Sequence, residues 1–346
     1  MKICGVIAEY NPFHAGHEYH LKKAREVSGA DFCVAVMSGY FVQRGEPAIF
    51  DPYMRAEAAL RHGADAVFMM PVRYSTASAG EFALGGISIL DNLGCDCISY
   101  GVEREDKTDE RLNSATDIKG TEDSEGTSNR VFLKPNNILA AEYKKAIAET
   151  GSCMEVVEIN RIGHGYNDDS FEGDYPSATA IRKNILNHAH GYAVDPDDTI
   201  PVLEATIRRL IHDGADLEQF LDVNRELADR IKKCEFDAKS FEELVLSLKT
   251  RRYTYTRIAR CLMHILLDVR KDADTSVYAH LIGFRRDAGE LLSELKRRSK
   301  LEIISKPADF KDVLSRDAYA AEVYDMLKSE KPKGSTGFYS TKRIIV

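Results

Sequence analysis

The stretch "KICGVIAEYNPFHAGHEYHL", residues 2–21, decides how the rest of the chain is read. It begins with a short continuous apolar run, the pattern of a strand buried on both faces of a parallel sheet. Asn11 and Pro12 break the run into a loop. "EYHLKKAREVSG" then reads as a helix. His14, His17 and His20 crowd the loop and the helix entrance. In open parallel α/β sheets, ligands bind beyond the carboxyl ends of the strands, near the point where strand order reverses. The loop after the first strand is therefore a privileged place. Gly16 lets a ligand approach the backbone closely. The helix start offers unpaired N–H groups and a positive dipole end to a phosphate. His14 and His17 suit charge that builds up on a leaving pyrophosphate. The alternatives are ordinary capping histidines or a metal site, but no Glu or Cys stands at metalloprotease spacing from the pair.

Outward from this stretch the first 100 residues alternate. "DFCVAVMSG", "ADAVFMMPV" and "CDCISYGVE" read as further strands, and "MEVVEINRIG" as a fifth. Between them "DPYMRAEAALRHG" reads as a helix with Asp51 as N-cap, Pro52 at the first position and Gly63 beyond its end. "AGEFALGGISILDNLG", "KPNNILAAEYKKAIAE" and "SATAIRKNIL" are also helical. This alternation predicts parallel βαβ units. Residues 103–130 are polar and charged and read as a long connection; "GHGYNDDSFEGDY" reads as a loop. From about residue 200 the pattern becomes helical. "VLEATIRRLIHDG", "LEQFLDVNRELADRIKKC", "SFEELVLSLKT", "YTRIARCLMHILLDVRKD" and "AAEVYDMLKSE" are the segments, with Ser240 and Glu243 as a capping-box signature. "VYAHLIGFR" and "LEIISKP" fit short strands or buried segments equally well. The expected division is residues 1–195 and a mainly helical part, 196–346.

The composition is that of an ordinary globular chain: 346 residues, 44% hydrophobic and 29% charged. No apolar run reaches the ~20 residues of a membrane span and the N-terminus lacks signal-peptide character, so a cytoplasmic protein is expected. The seven cysteines have no framework spacing, and Cys95 and Cys97 have no answering pair for zinc. The net charge of −8 excludes a globally basic nucleic-acid binder, leaving only a local basic patch as a nucleic-acid contact.

"HAGH" after the first strand resembles the HxGH motif of the nucleotidyltransferase superfamily. "GVIAEYNPFHAGHEYHL", "SGYFVQRGEPAIFD", "GADAVFMMP", "KPNNILAAEY" and "SATAIR" together resemble the tRNA(Met) cytidine acetate ligase family. The resemblance implies a Rossmann-like HxGH nucleotidyltransferase sheet with a mainly helical C-terminal domain that binds tRNA. It implies activation of acetate by ATP to acetyl-adenylate, then acetylation of the wobble cytidine of elongator tRNA(Met) to N4-acetylcytidine. It also implies an ATP loop of Ile7, Ala8, Glu9, Tyr10, Asn11, Pro12, Phe13, His14, Ala15, Gly16, His17, Glu18, Tyr19 and His20. His14 and His17 lie at the phosphates, and Gly101, Asn136 and Arg161 complete the nucleotide pocket. "SATAIR" places Ser177, Thr179 and Arg182 near the triphosphate. Mg²⁺ is expected with the departing phosphates, without assigned ligands. The stretch between Gly101 and Lys134 is shorter and more acidic than the family pattern.

Two other segments carry chemistry. Arg44, in "VQRGEP" with Gln43 and Glu46, can contact phosphate or the acetate carboxylate. "KTRRYTYTRIAR", residues 249–260, sets Arg251, Arg252, Tyr253 and Arg257 where basic groups meet a phosphate backbone and aromatics stack on bases. "KRRSK" and "KSEKPKGS" are further basic runs that read as solvated faces. A small-molecule adenylyltransferase of the same superfamily, and a nucleotide- or RNA-binding protein without turnover, remain compatible with these residues.

Overall fold

A computed structural model of the protein describes residues 1–103, 135–161, 178–188, 193–328 and 337–346. Residues 104–130 of the long connection, the loop 163–175, Lys134, Ser177 and most of the last basic run lie outside the described residues. The chain begins with β1 (Ile3–Ala8), α1 (Ala15–Ser28), β2 (Phe32–Ser38) and a small hairpin, β3 (Phe41–Val42) and β4 (Glu46–Pro47). There follow α2 (Pro52–Arg61), β5 (Ala66–Met70), the single turn α3 (Val72–Ser75), α4 (Ala79–Leu93), β6 (Cys97–Val102), α5 (Pro135–Thr150), β7 (Glu155–Asn160) and α6 (Ala178–His188). A helical stretch comes next: α7 (Thr199–His212), α8 (Arg225–Lys232), α9 (Phe241–Leu248) and α10 (Tyr255–Leu266). The last elements are β8 (Ala279–Phe284), α11 (Gly289–Arg298), β9 (Ile303–Ile304), α12 (Ser315–Leu327) and β10 (Ile344–Ile345).

The sheet runs β10-β8-β5-β2-β1-β6-β7, with β9 on β8. The five strands from β5 to β7 are parallel, as the continuous apolar runs predict. The chain steps from β1 through β2 to β5, then crosses back to lay β6 and β7 on the other side of β1. Strand order therefore reverses at β1 and β6, the place where open α/β sheets bind their ligands beyond the carboxyl ends of the strands. The two-residue alternation of the strands feeds two apolar cores. Cys4, Val6, Ala35 and Met37 face one, with Leu21 and Ala24 of α1. Ile3, Val34, Val36 and Phe68 face the other, with Phe82, Ile87 and Leu90 of α4. Leu21 is 1% exposed, and burying such a side chain stabilises by about 2 kcal/mol, which holds α1 at a fixed height against the sheet.

Caps end the helices where the residue types predict. Asp51 Oδ1 accepts from Tyr53 N and Met54 N, both at 3.0 Å, with Pro52 at the first position. "LEQFLDVNRELADRIKKC" is not one helix. Asp222 takes a left-handed φ of 62° and Asn224 caps α8 through Leu227 N at 3.0 Å, because short polar side chains satisfy local backbone groups better than a continuing helix does. The two ambiguous segments are strands. β8 pairs antiparallel with β5, and β9 and β10 pair parallel with β8, so residues otherwise expected in a helical part extend the sheet. Among the described residues no helix is long and apolar enough to cross a membrane.

Candidate active site

The loop between β1 and α1 closes on itself through its histidines. His14 is the N-cap of α1, and its Nδ1 accepts from Gly16 N at 3.1 Å. His17 Nδ1 accepts in turn from His14 N at 3.3 Å. The two rings stack with centroids 3.8 Å apart. This is the reciprocal geometry of a capping box, built with imidazoles. A ring nitrogen that accepts a hydrogen bond carries no proton, so each neutral ring holds its proton on Nε2. Two donors thus stand at the N-terminus of α1. Gly16 is needed here, since a Cβ would lie 2.9 Å from His14 Cε1. The Tyr10 ring packs edge-on against His17 at 4.9 Å and Phe13 at 5.0 Å, forming a floor under the pair.

All three histidines are held neutral. Burial, then the positive field of Arg161 and Arg182, pushes the His14 imidazole down to about 4. Burial holds His17 well below the ordinary range, with His14, Arg161 and His20 adding to it. His20 falls to about 4 through burial and then Arg161; its Nε2 lies 3.1 Å from Ser99 Oγ on β6. Two guanidinium groups and a helix dipole around neutral imidazoles make a cradle for negative charge.

Distant segments meet at this loop. Arg182 on α6 donates to Asn11 O at 2.8 Å and to Thr179 Oγ1 at 3.1 Å, so of the three residues expected from "SATAIR" Arg182 meets the β1–α1 loop and Thr179 holds Arg182. Asn11, with a cis peptide to Pro12, accepts from Ile49 N at 2.8 Å through Oδ1. Glu9 Oε1 accepts from Gln43 N at 2.9 Å. On the other side, Arg161 Nη1 donates to Asn136 Oδ1 at 3.4 Å, and its side chain lies against Gly101. Asn136 Nδ2 donates to Glu103 Oε1 at 2.6 Å. Gly101, Asn136 and Arg161 thus converge, far apart in sequence but adjacent beyond β6 and β7. Ile7 and Ala8 line the end of β1, while Ala15 opens α1. Glu18 turns away to His62, 3.3 Å distant, and Tyr19 packs against the core.

Three residues here escape a reading by motif. Arg55 is 1% exposed and donates to Phe50 O at 2.9 Å, Glu9 O at 2.6 Å and Gly39 O. It ties the exits of β1 and β2 to the start of α2. Burial lowers it to about 10, still a cation at neutral pH. Asn137 brackets Glu103, accepting from its N at 2.9 Å and donating to its O at 3.0 Å. Glu103 itself links Asn136 to the end of β6. The second asparagine of "KPNN" is the one local signal for this bracket.

The hairpin β3–β4 carries Arg44 and Glu46 between this site and α10. Its turn residue Gly45, φ 82°, sits so close to α10 that a Cβ would lie 2.4 Å from Arg260 N. Burial raises the Glu46 carboxyl, against Arg182 and Arg44, which lower it, and with Glu9 and Asp195, which raise it. Beyond the hairpin the basic segment frames an open hollow of about 710 Å³, lined by Lys249, Arg251 and Tyr255 among others. Arg251 and Arg252 are exposed. Tyr253 departs from its expected role. It is 2% exposed, its hydroxyl donates to Glu226 Oε2 at 2.9 Å and accepts from Asn224 Nδ2 at 2.7 Å, and the Arg257 guanidinium covers its ring at 5.1 Å. Its ring offers no free stacking face; the half-buried Tyr255 at the hollow's edge is the better placed aromatic.

Comparison with known proteins bears on this arrangement. The family described as HIGH Nucleotidyl Transferase matches residues 1–126 and 111–337. A tRNA(Met) cytidine acetate ligase of Thermoanaerobacter sp. (strain X514) is 33% identical over 384 residues, covering 94% of this chain and 95% of that protein. The enzyme of the same name from Acetivibrio thermocellus is 33% identical over 416 residues, covering 100% of both. The crystal structure of Thermotoga maritima TmcAL (apo, form I) superimposes with a TM-score of 0.86 at 27% identity, covering 100% of both chains. The form of that protein bound with alpha-thio ATP gives 0.83 at 26% identity, covering 100% of this chain and 99% of that one.

Proposed function

The chain belongs to the tRNA(Met) cytidine acetate ligase family, and we propose that the β1–α1 crevice is where it activates acetate with ATP for transfer to a tRNA cytidine. The observation that carries the site assignment is the stacked His14–His17 pair, with both Nδ1 atoms engaged in the helix cap and both Nε2–H groups left as donors. In the first half-reaction an acetate oxygen attacks the α-phosphorus of ATP, and the bond to pyrophosphate breaks. Acetate is a weak nucleophile, so positioning and charge stabilisation carry the step. His14 and His17 donate to the phosphates beside the α1 N-terminus, while Arg161 and Arg182 offset the charge on pyrophosphate. Each neutral imidazole keeps one ring N–H as a donor while its other nitrogen holds the helix cap. Gly101 and Asn136 border the nucleotide, and Arg44 faces the phosphate or the acetate carboxylate.

Mg²⁺ would enter with the nucleotide. Among the described residues no group of three His, Cys, Asp or Glu side chains is able to hold a metal ion, and a cation carried by phosphates and water needs none. In the second half-reaction the acetyl group passes to the exocyclic amine of the wobble cytidine of elongator tRNA(Met). Arg251, Arg252 and Arg257 lie on the segment proposed to meet the tRNA backbone. A cytoplasmic location fits a tRNA-modifying enzyme.

The test is pyrophosphate release from ATP with and without acetate, then with elongator tRNA(Met), in the wild type and His17→Ala. Acetate-dependent release that His17→Ala abolishes, with acetyl on the tRNA, supports the reading. Release indifferent to both acetate and tRNA points instead to a small-molecule adenylyltransferase, and absence of release to a binding protein.

A further inference from the structure

The acetyl-transfer half-reaction releases a proton, and the histidines and carboxylates of the ATP loop each already hold a partner. Its histidines have their Nδ1 atoms committed to the helix cap or their Nε2 to Ser99. Glu9 accepts from Gln43 N, and Glu103 is held by Asn136. The β3–β4 hairpin stands differently. At the first residue of its turn Gln43 N is bonded to the ATP loop through Glu9, and just past β4 Ile49 N is bonded to it through Asn11. At its turn Gly45 rests on the backbone of α10, the helix that leads out of the basic segment. The hairpin therefore spans the gap between the place where acetyl-adenylate would form and the surface where tRNA would lie. Glu46, paired with Val42 across the hairpin, is the carboxylate carried there.

Resting on the function proposed above, we propose that Glu46 is the catalytic residue that accepts the proton from the attacking cytidine amine. The N4 lone pair attacks the acetyl carbonyl carbon and a C–N bond forms. The C–O bond to the AMP phosphate breaks, and AMP leaves with that electron pair. The nitrogen's surplus proton goes to a Glu46 carboxylate oxygen. The surroundings fit a base. The charged and titratable groups that act on it are Arg182 on α6, Arg44 on the hairpin, Glu9 on the ATP loop, Asp195 before α7 and Tyr255 on α10. Burial and the two acidic neighbours outweigh the arginines and make the carboxylate more basic than an ordinary glutamate. The same arginines suit a site that also receives a phosphate-linked acetyl group.

The experiment separates the half-reactions in the full-length protein. Acetate-dependent exchange of pyrophosphate into ATP reports activation; single-turnover acetylation of elongator tRNA(Met) reports transfer. Glu46→Gln is expected to slow transfer about a hundredfold, the scale of general-base catalysis, while exchange stays within about threefold. Glu46→Asp is expected to fall between. In the wild type the transfer rate should fall as pH drops and the Glu46 carboxylate takes up its proton, and that fall should be absent in Glu46→Gln. Equal loss of both half-reactions, transfer within threefold of wild type, or an unchanged pH profile in Glu46→Gln overturns the assignment. Should Glu46→Gln not fold, transfer by Glu46→Asp at the wild-type rate overturns it equally. Failure of the functional reading shows separately, as wild-type protein with no acetate-dependent exchange.

Discussion

At the start of α9, Ser240 Oγ accepts from Glu243 N at 3.1 Å and Glu243 reaches back to Lys239 N at 2.9 Å. At the start of α1, His14 accepts from Gly16 N at 3.1 Å and His17 from His14 N at 3.3 Å. Both pairs stand three residues apart and both satisfy N–H groups that a helix end leaves open. The difference lies in what remains. A serine and a glutamate have only acceptors to offer beyond the cap, or a hydroxyl whose proton turns freely. An imidazole that accepts at Nδ1 has its proton fixed at Nε2, pointing a donor in a set direction. The α1 pair therefore caps a helix and leaves two directed donors, whereas the α9 pair leaves none. The surroundings follow: α1 starts at the reversal of strand order beneath two arginines, while α9 starts on the exposed surface of the helical part.

His17→Ala tests the contrast most severely. It should lower acetate-dependent pyrophosphate release by about 10²–10³-fold, the loss expected for one donor to developing charge. Thermal unfolding should show a cost of only about 1 kcal/mol, that of a lost cap bond. A stability loss several times larger would mean that the histidine serves the fold first. Gly16→Ala is the next largest. The added methyl group meets the His14 ring at 2.9 Å and must displace it, so the Kd for ATP should rise about tenfold, or about 1.4 kcal/mol, by titration calorimetry. The unfolding midpoint should change little, since the helix propensity that alanine gains offsets the cap bond that the displaced His14 ring loses.

A pH series sharpens the same point without mutation. The His14 imidazole titrates at about 4 in the folded chain against an ordinary 6.5, and His20 does likewise. The folded state thus favours the neutral rings. Their contribution to stability is complete above about pH 6.5 and is lost progressively as pH falls toward 4. Nitrogen-resolved NMR of the rings should show the Nε2–H tautomer at pH 7 for His14 and His17. Bound ATP should shift the His14 titration upward, because phosphate charge offsets Arg161 and Arg182. A His14 ring that titrates at its ordinary value in the free protein would break the comparison. Ser240→Ala is the smallest effect: about 1 kcal/mol of stability lost by denaturant unfolding, with pyrophosphate release unchanged.

Much of this was legible in the residue order. Ile3–Ala8, Phe32–Ser38 and Ala66–Met70 read as strands because both faces are buried, and their runs carry no polar interruption. Asp51, Pro52 and Ser240 announce helix starts because a cap is satisfied within three residues. His14, Gly16 and His17 form their cap within the same short reach. Other features were not legible. "VYAHLIGFR" fits a short strand or a buried segment until β5 supplies an edge for it. Tyr253 looks like a stacking residue until Glu226 and Asn224 take its hydroxyl. Arg55 reads as one more helix arginine, yet its guanidinium ends in a buried nest of carbonyls.

The chain by itself determined the local devices: which runs pair as buried strands, where helices start, and which loop histidines stand close enough to cap one helix. Only the tertiary structure decided what those devices face. Arg182 reaches Asn11 across 171 positions, and Arg161 meets Gly101 because β6 and β7 lie side by side. Cap and strand signals come from interactions between near neighbours in the chain, where a few dihedral angles set the distance. A charge placed over a crevice depends on strand order, which only the packing of the whole sheet settles.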